Sequence, residues 1–252
     1  MTEAMALVAT LECTPPGAPT ACAGWTCHHL TAHLAAGAAE MADLVETSLS
    51  GGGERSTKAF GEREAPYLAL ADDDLRNRLF SEAIRLNLAV EQLRSLGSQR
   101  TVPFAGKRLT ASQLDLHGRC EAAVHRWDLT GDDEVSSELL SAPELTVHAV
   151  SVLNEMLEGS REAVAARVPA TGTGPFRASF AAPDVADVVL VVDHDGARLE
   201  MDDSSGPPTA VSDGATRLLA LWGRRSSTHR ITWCDDDPRS RRLAAFLWAG
   251  LD

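Results

Sequence analysis

The chain has 252 residues, of which 44% are hydrophobic and 23% charged. That is enough apolar content for a packed core and too much for overall disorder. Its 36 Asp+Glu against 23 Lys+Arg give a formal net charge of -13, which excludes sequence-independent nucleic-acid binding through a basic face and electrostatic docking on an anionic membrane.

Lysine occurs only at Lys58 and Lys107, and every other basic residue is Arg. With the frequent Ala this composition points to a GC-rich genome such as an actinobacterium's. The five cysteines, at 13, 22, 27, 120 and 234, are odd in number and form no C-x-x-C pair, so no disulfide framework is expected. The N-terminus carries Glu3 where a signal peptide needs positive charge, and its short apolar run meets Glu12. No stretch approaches the roughly 20 apolar residues that span a bilayer. The expectation is a soluble, cytoplasmic protein with reduced thiols.

In chain order, a short helix over Glu3–Leu11 ends at the Pro15-Pro16-Gly17 breaker. Thr26 is a good N-cap for a second helix, with Trp25 before it placed to staple against Leu30. That helix continues through Leu34, Met41, Leu44, Val45 and Leu49 to Gly51-Gly52-Gly53. Residues 51–66 read as a loop. Asp72-Asp73-Asp74 places acidic charge at the start of a third helix through Leu75, Leu79, Ile84, Leu88 and Leu93, ending at Gly97. An extended piece over Arg100–Phe104 and a turn at Gly106 lead to Thr110, which caps a fourth helix through Leu114, Cys120, Val124 and Leu129 to Gly131. A further helix starts at Ala142-Pro143-Glu144, with Pro at an early position, and runs toward Ala166.

Beyond the Pro169–Gly174 linker the period changes. Phe176–Phe180, Val185–Val192 and Ala197–Met201 read as strands, with a hairpin at residues 193–196. Ala215–Leu221 and Arg239–Leu251 read as helices, and Ile231–Trp233 as a strand between them. The architecture predicted is α+β: an antiparallel helical bundle over residues 1–167 followed by a small α+β domain over 168–252.

The chemistry-bearing pattern is Glu121-Ala-Ala-Val-His125. Residues four apart share one helix face, so this carboxylate and imidazole can hold one metal ion. His33, in the earlier run H28-H29-L30-T31-A32-H33, can supply a third ligand across the bundle. Three such ligands with an open position describe a catalytic divalent site, with zinc as the expected metal. Spacing alone favours a plainer reading, a Glu/His pair on a helix surface.

Two segments alter that weighing. Cys22–Leu34 (C-A-G-W-T-C-H-H-L-T-A-H-L) and Arg119–Leu129 (R-C-E-A-A-V-H-R-W-D-L) resemble the mycothiol-dependent maleylpyruvate isomerase family. Its pattern has a Gly-Trp-Thr start, a His-Leu pair, then Glu-x-x-x-His followed by Asp. The stretch Ala215–Arg225, with Trp222-Gly223-Arg224, is similar to that family's small C-terminal domain. The resemblance implies a DinB-like four-helix bundle, a metal held by His33, Glu121 and His125, and mycothiol as the thiol cofactor or co-substrate. It implies that Arg224 reaches an anionic group of thiol or substrate; the plainer role is to cap a helix C-terminus.

Other residues carry paired readings. His117 and His29 each stand four residues from a ligand and are either solvated or available to orient a ligand or act as a base. Arg119 either binds a substrate or cofactor carboxylate or is an exposed helix arginine. Asp128 either bonds a ligand imidazole or is an ordinary helix charge. The cysteines are poor catalytic candidates.

The functional expectation is a metal-dependent enzyme that uses a low-molecular-weight thiol for cis–trans isomerisation or thiol transfer on an activated small molecule. The alternatives from other classes are a non-catalytic binding or regulatory protein on the same scaffold, and a metal-dependent hydrolase.

Overall fold

The computed structural model describes residues 1–53, 55, 57–59, 61–104, 107–158, 174–183, 185–203, 206–234 and 238–248. The protein is α+β, and its contacts divide it into two compact units, Met1–Leu129 and Thr130–Asp252.

The first unit is a bundle of four helices, α1 (Glu3–Cys13), α2 (Cys27–Leu49), α4 (Asp72–Ser95) and α5 (Ala111–Thr130), with a single turn, α3 (Ala65–Leu68), between the second and third. The caps read from sequence are in place. Thr26 precedes α2, and the His29 imidazole folds back to accept from the Thr26 backbone N–H at 3.3 Å. That bond gives His29 a capping role. Thr110 Oγ1 accepts from the Gln113 N–H at the start of α5.

The middle of α2 buries Ala32, Ala35, Ala36, Ala38, Ala39 and Ala42. Small side chains there let neighbouring helices approach closely. At one end of the bundle Leu7, Leu11, Ala32, Leu75, Leu79 and Ala122 pack together. At the other, Met41, Leu44, Val45, Val90 and Leu93 pack with Val102, Phe104 and Leu109. These last three come from a hairpin, β1 (Thr101–Phe104) paired antiparallel with β2 (Lys107–Thr110). Each fully buried Leu contributes about 1.5–3 kcal/mol of transfer free energy.

One part of the predicted apolar stripe is corrected. Ile84 and Leu88 are 61% and 67% exposed. The buried face of α4 runs instead through Leu75, Leu79, Glu82, Ala89, Val90 and Leu93, because this helix turns a polar and a small residue toward its neighbours.

The second unit begins with α6 (Glu134–Leu140), absent from the sequence expectation and capped by Asp133, whose side chain accepts from the Ser136 N–H at 2.6 Å. Then come α7 (Pro143–Glu158) and a five-stranded sheet in the order β5-β4-β3-β6-β7. The strands are β3 (Phe176–Ala182), β4 (Val185–Asp193), β5 (Gly196–Asp202), β6 (Ala210–Val211) and β7 (Thr232–Trp233), with helices α8 (Gly214–Leu221) and α9 (Pro238–Trp248). The predicted hairpin joins β4 and β5 in register Asp193↔Gly196, where Gly196 takes a φ of 135°. Only the β3/β6 pair is parallel among the pairings described.

Asn154 of α7 closes the outer edge of β5: its amide donates to Leu199 O at 2.8 Å and accepts from Leu199 N at 2.7 Å. One residue's outward backbone groups on this edge strand are thereby paired. Because α7 packs on β5 and α8, and α6 packs on α8, both helices belong by contact with the sheet. The contact boundary at Leu129/Thr130 and the change of sequence period near Pro169 are therefore different boundaries. Residues 169–173 of the linker, the predicted continuation of α7 to Ala166 and the turn at Gly106 lie outside the described residues. Among the described residues no helix is long and apolar enough to cross a membrane.

Candidate metal centre

His33 projects from the second turn of α2, and Glu121 and His125 from successive turns of α5. Each offers one ligand atom, and the three atoms lie within 4.8 Å of one another. The Nε2 atoms of His125 and His33 stand 3.4 and 3.8 Å from the same oxygen, Glu121 Oε2. The imidazoles meet nearly edge to face, with centroids 5.2 Å apart. The sequence predicted this trio from two segments about ninety residues apart, and the bundle brings it together.

The opposite edge of each ring meets a carboxylate. His125 Nδ1 lies 2.8 Å from Asp128 Oδ2, and His33 Nδ1 lies 3.1 Å from Glu64 Oε1. Asp128 and Glu64 are 2% and 4% exposed. When these carboxylates take the Nδ1 protons, both Nε2 atoms are left to bind a cation beside Glu121, the arrangement that supports metal-binding histidines. The donor set, two imidazoles and one carboxylate with both rings oriented from behind, fits a divalent cation.

The same contacts set the charges of the trio, and a cation bound there would take the place of the Nε2 protons. Burial works against charge on Glu121, but hydrogen bonds from His125 and His33 and the nearby charge of His117 hold its carboxyl well below the usual range. Burial likewise opposes protonation of His125, yet its bonds with Asp128, Cys22 and Glu121 push that imidazole well above its usual range. Around these ligands, the Trp25 ring lies 5.3 Å from that of His33. The Cys22 thiol donates to Asp128 Oδ2 at 3.3 Å, and the Ala21 N–H donates to Asp128 O at 2.8 Å.

The remaining predicted residues have these surroundings. His117 is one turn before Glu121, outside the ligand trio, with its ring at 5.2 Å from that of Phe104. Arg119 donates from Nε and Nη2 to Glu3 Oε1, at 3.0 and 2.7 Å, tying α5 to α1. Arg224 belongs to the second unit, where its Nη1 donates to Trp222 O at 3.0 Å. Of the two readings for Asp128, the structure bears out the bond to an imidazole. Sequence reasoning missed Glu64, which lies in a stretch read only as loop, and it set Cys22 aside with the other cysteines. A buried acid is invisible in a polar loop such as G61-E62-R63-E64, where three charges look alike.

The class so defined is a helical-bundle protein with a His/Glu/His cluster suited to a metal, carried in one chain with an α+β unit. The family model of the mycothiol maleylpyruvate isomerase N-terminal domain matches residues 1–130, and the chain belongs to that family. Among solved structures it is similar to a mycothiol-dependent maleylpyruvate isomerase, with 20% identity and a TM-score of 0.57, and to a histidine-to-alanine mutant of such an enzyme, with 19% identity and a TM-score of 0.59. Each likeness covers 91% of this chain and 88% of the other, and at such identity it is one of fold. No curated protein matches the chain.

Proposed function

We propose that this protein is a metal-dependent enzyme that uses mycothiol, or a similar low-molecular-weight thiol, to isomerise or thiolate an activated small-molecule substrate of the maleylpyruvate type. The reading rests on one observation: two imidazole Nε2 atoms converge on Glu121 Oε2 while buried carboxylates hold both Nδ1 atoms. Family membership supports the choice of thiol.

In this reading His33, Glu121 and His125 hold the cation, with zinc suited to the mixed nitrogen and oxygen donors. A divalent cation there supplies the positive charge that keeps a small thiol ionised near neutral pH. Asp128 and Glu64 keep the imidazoles aimed, and Trp25 walls one side of His33 with apolar surface. Arg224 remains the candidate for an anionic group of thiol or substrate. The Glu3 contact of Arg119 supports a structural part for that residue, and His117 is the nearest further imidazole able to exchange a proton.

Metal analysis of the purified chain, coupled to a calorimetric titration with mycothiol, tests the proposal. Stoichiometric metal and saturable thiol binding are expected, both lost in His125→Ala. A chain without metal, whose thiol-dependent activity survives His125→Ala, overturns it. Metal with no thiol binding would instead favour a non-catalytic binding protein. Ester or amide turnover without thiol would favour a hydrolase.

A further inference from the structure

His33 is held from behind by a charged network that makes opposing demands on its Nδ1 atom. Glu64 Oε1, at 3.1 Å, needs a proton on Nδ1 to share. Arg63 Nη2, at 3.3 Å, is a donor and can bond only to a bare Nδ1. The two demands select opposite tautomers. With the proton on Nδ1, Nε2 keeps its lone pair for a cation; with the proton on Nε2, where Glu121 Oε2 at 3.8 Å is the acceptor, that lone pair is gone and His33 cannot be a ligand through Nε2.

The surrounding bonds favour Glu64. Arg63 is already engaged, with Nε donating to Glu64 Oε1 at 2.6 Å and Nη1 to Glu40 Oε2 at 3.3 Å. Glu64 Oε2 accepts from the Gly61 N–H at 2.7 Å, so the carboxylate is pinned on both oxygens. Glu40, two turns after His33 on α2, accepts the Lys58 N–H at 2.6 Å through its other oxygen. The Arg63 guanidinium and the Gly61 N–H both donate to Glu64, the setting of a carboxylate acceptor. An ionised acceptor makes a shorter and stronger bond than a neutral one.

We propose that Glu64 is a positioning residue that selects the Nδ1–H tautomer of His33 and so presents its Nε2 lone pair to the metal, against the competing Arg63 guanidinium. The proposal rests on the metal reading for its purpose, but the tautomer is testable without metal.

The test uses the full ¹⁵N-labelled chain at mildly alkaline pH, with long-range ¹H–¹⁵N spectra of the imidazoles and a zinc titration. In the wild type, His33 should carry its proton on Nδ1. In Glu64→Gln the Nε2–H form of His33 should grow, zinc affinity should fall about 10- to 100-fold, and the His125 signals should stay in place. In Arg63→Met, which removes the competitor and keeps the acceptor, the Nδ1–H form should persist with zinc affinity close to wild type.

Three results overturn the inference: a wild-type His33 protonated on Nε2, a Glu64→Gln variant with unchanged tautomer and zinc affinity, or an Arg63→Met variant that loses both as Glu64→Gln does. A wild type that binds no zinc overturns the metal reading instead, and its own spectrum still decides the tautomer should the Glu64 variant fail to fold.

Discussion

Cys27 illustrates how neighbours rather than residue type set reactivity. It is fully buried beneath the start of α2, whereas Cys13 and Cys234 are exposed. Burial raises the Cys27 thiol pKa, and the Thr31 hydroxyl and Arg76 only partly offset that. Because the folded value lies above the unfolded one, the thiol's contribution to stability is present at neutral pH and is lost as pH rises through the folded value. Alkylation followed by mass spectrometry should therefore label Cys13 and Cys234 first, with Cys27 reacting slowly and accelerating at high pH. Equal labelling of Cys27 and Cys13 at neutral pH would contradict this account. At the same scale, the Glu121/His125 spacing was legible in sequence because a helix makes residues four apart neighbours. Glu64 was not, because nothing local distinguishes a loop carboxylate that ends up buried from one that stays wet.

At the scale of elements, the loop after α8 shows a side chain organising a whole segment. Asp132 Oδ2, just after α5, accepts from the Ser227 and Thr228 N–H groups and from the hydroxyls of Ser226, Ser227 and Thr228, all at 2.9–3.0 Å. These residues follow Trp222-Gly223-Arg224 after Arg225, so this carboxylate ties down the segment that carries Arg224. Hydrogen bonds to a charged group contribute about 1.5–3 kcal/mol each, but bonds sharing one oxygen do not add. Asp132→Ala is expected to cost about 2 kcal/mol in chemical denaturation and to speed proteolysis within residues 223–229. A change below about 0.5 kcal/mol would place Asp132 among ordinary surface positions.

Helix and strand periods in the sequence located most elements to within a few residues. Among the described residues the exceptions were α3, β2, α6 and β6, each too short to show a period. The exposed Ile84 and Leu88 are a separate lesson: a helical spacing of apolar residues predicts the helix, but the neighbours decide which stripe is buried.

For the molecule as a whole, the candidate ligands all come from the first unit, and they come from α2 and α5, which are far apart in the chain. Metal bound only by the folded arrangement stabilises it by mass action, by about 2.7 kcal/mol at a concentration 100 times Kd. Hydrogen exchange should thus slow in α2 and α5 on loading with metal and return to its starting rate when a chelator removes it. Unchanged exchange in both helices at saturating zinc would argue that the trio does not bind as a unit. The charge of -13 adds a constraint on the proposed function, since an anionic substrate would have to be drawn in against the average field by local Arg and a bound cation.

From sequence alone came the α+β class, the caps, the strand hairpin and the Glu121/His125 pair, because each is written in local spacing: 3.6 residues per turn, two per pleat, and a capping residue at each start; His33 joined the pair through the family resemblance. Only the tertiary structure decided that Nε2 of His33 and of His125 meet at one carboxylate oxygen, that Asp128 and Glu64 stand behind them, and that Arg119 bonds Glu3. Those outcomes depend on how far apart the helices pack and on which polar groups burial forces to find a partner, and neither quantity has a local signature in the chain.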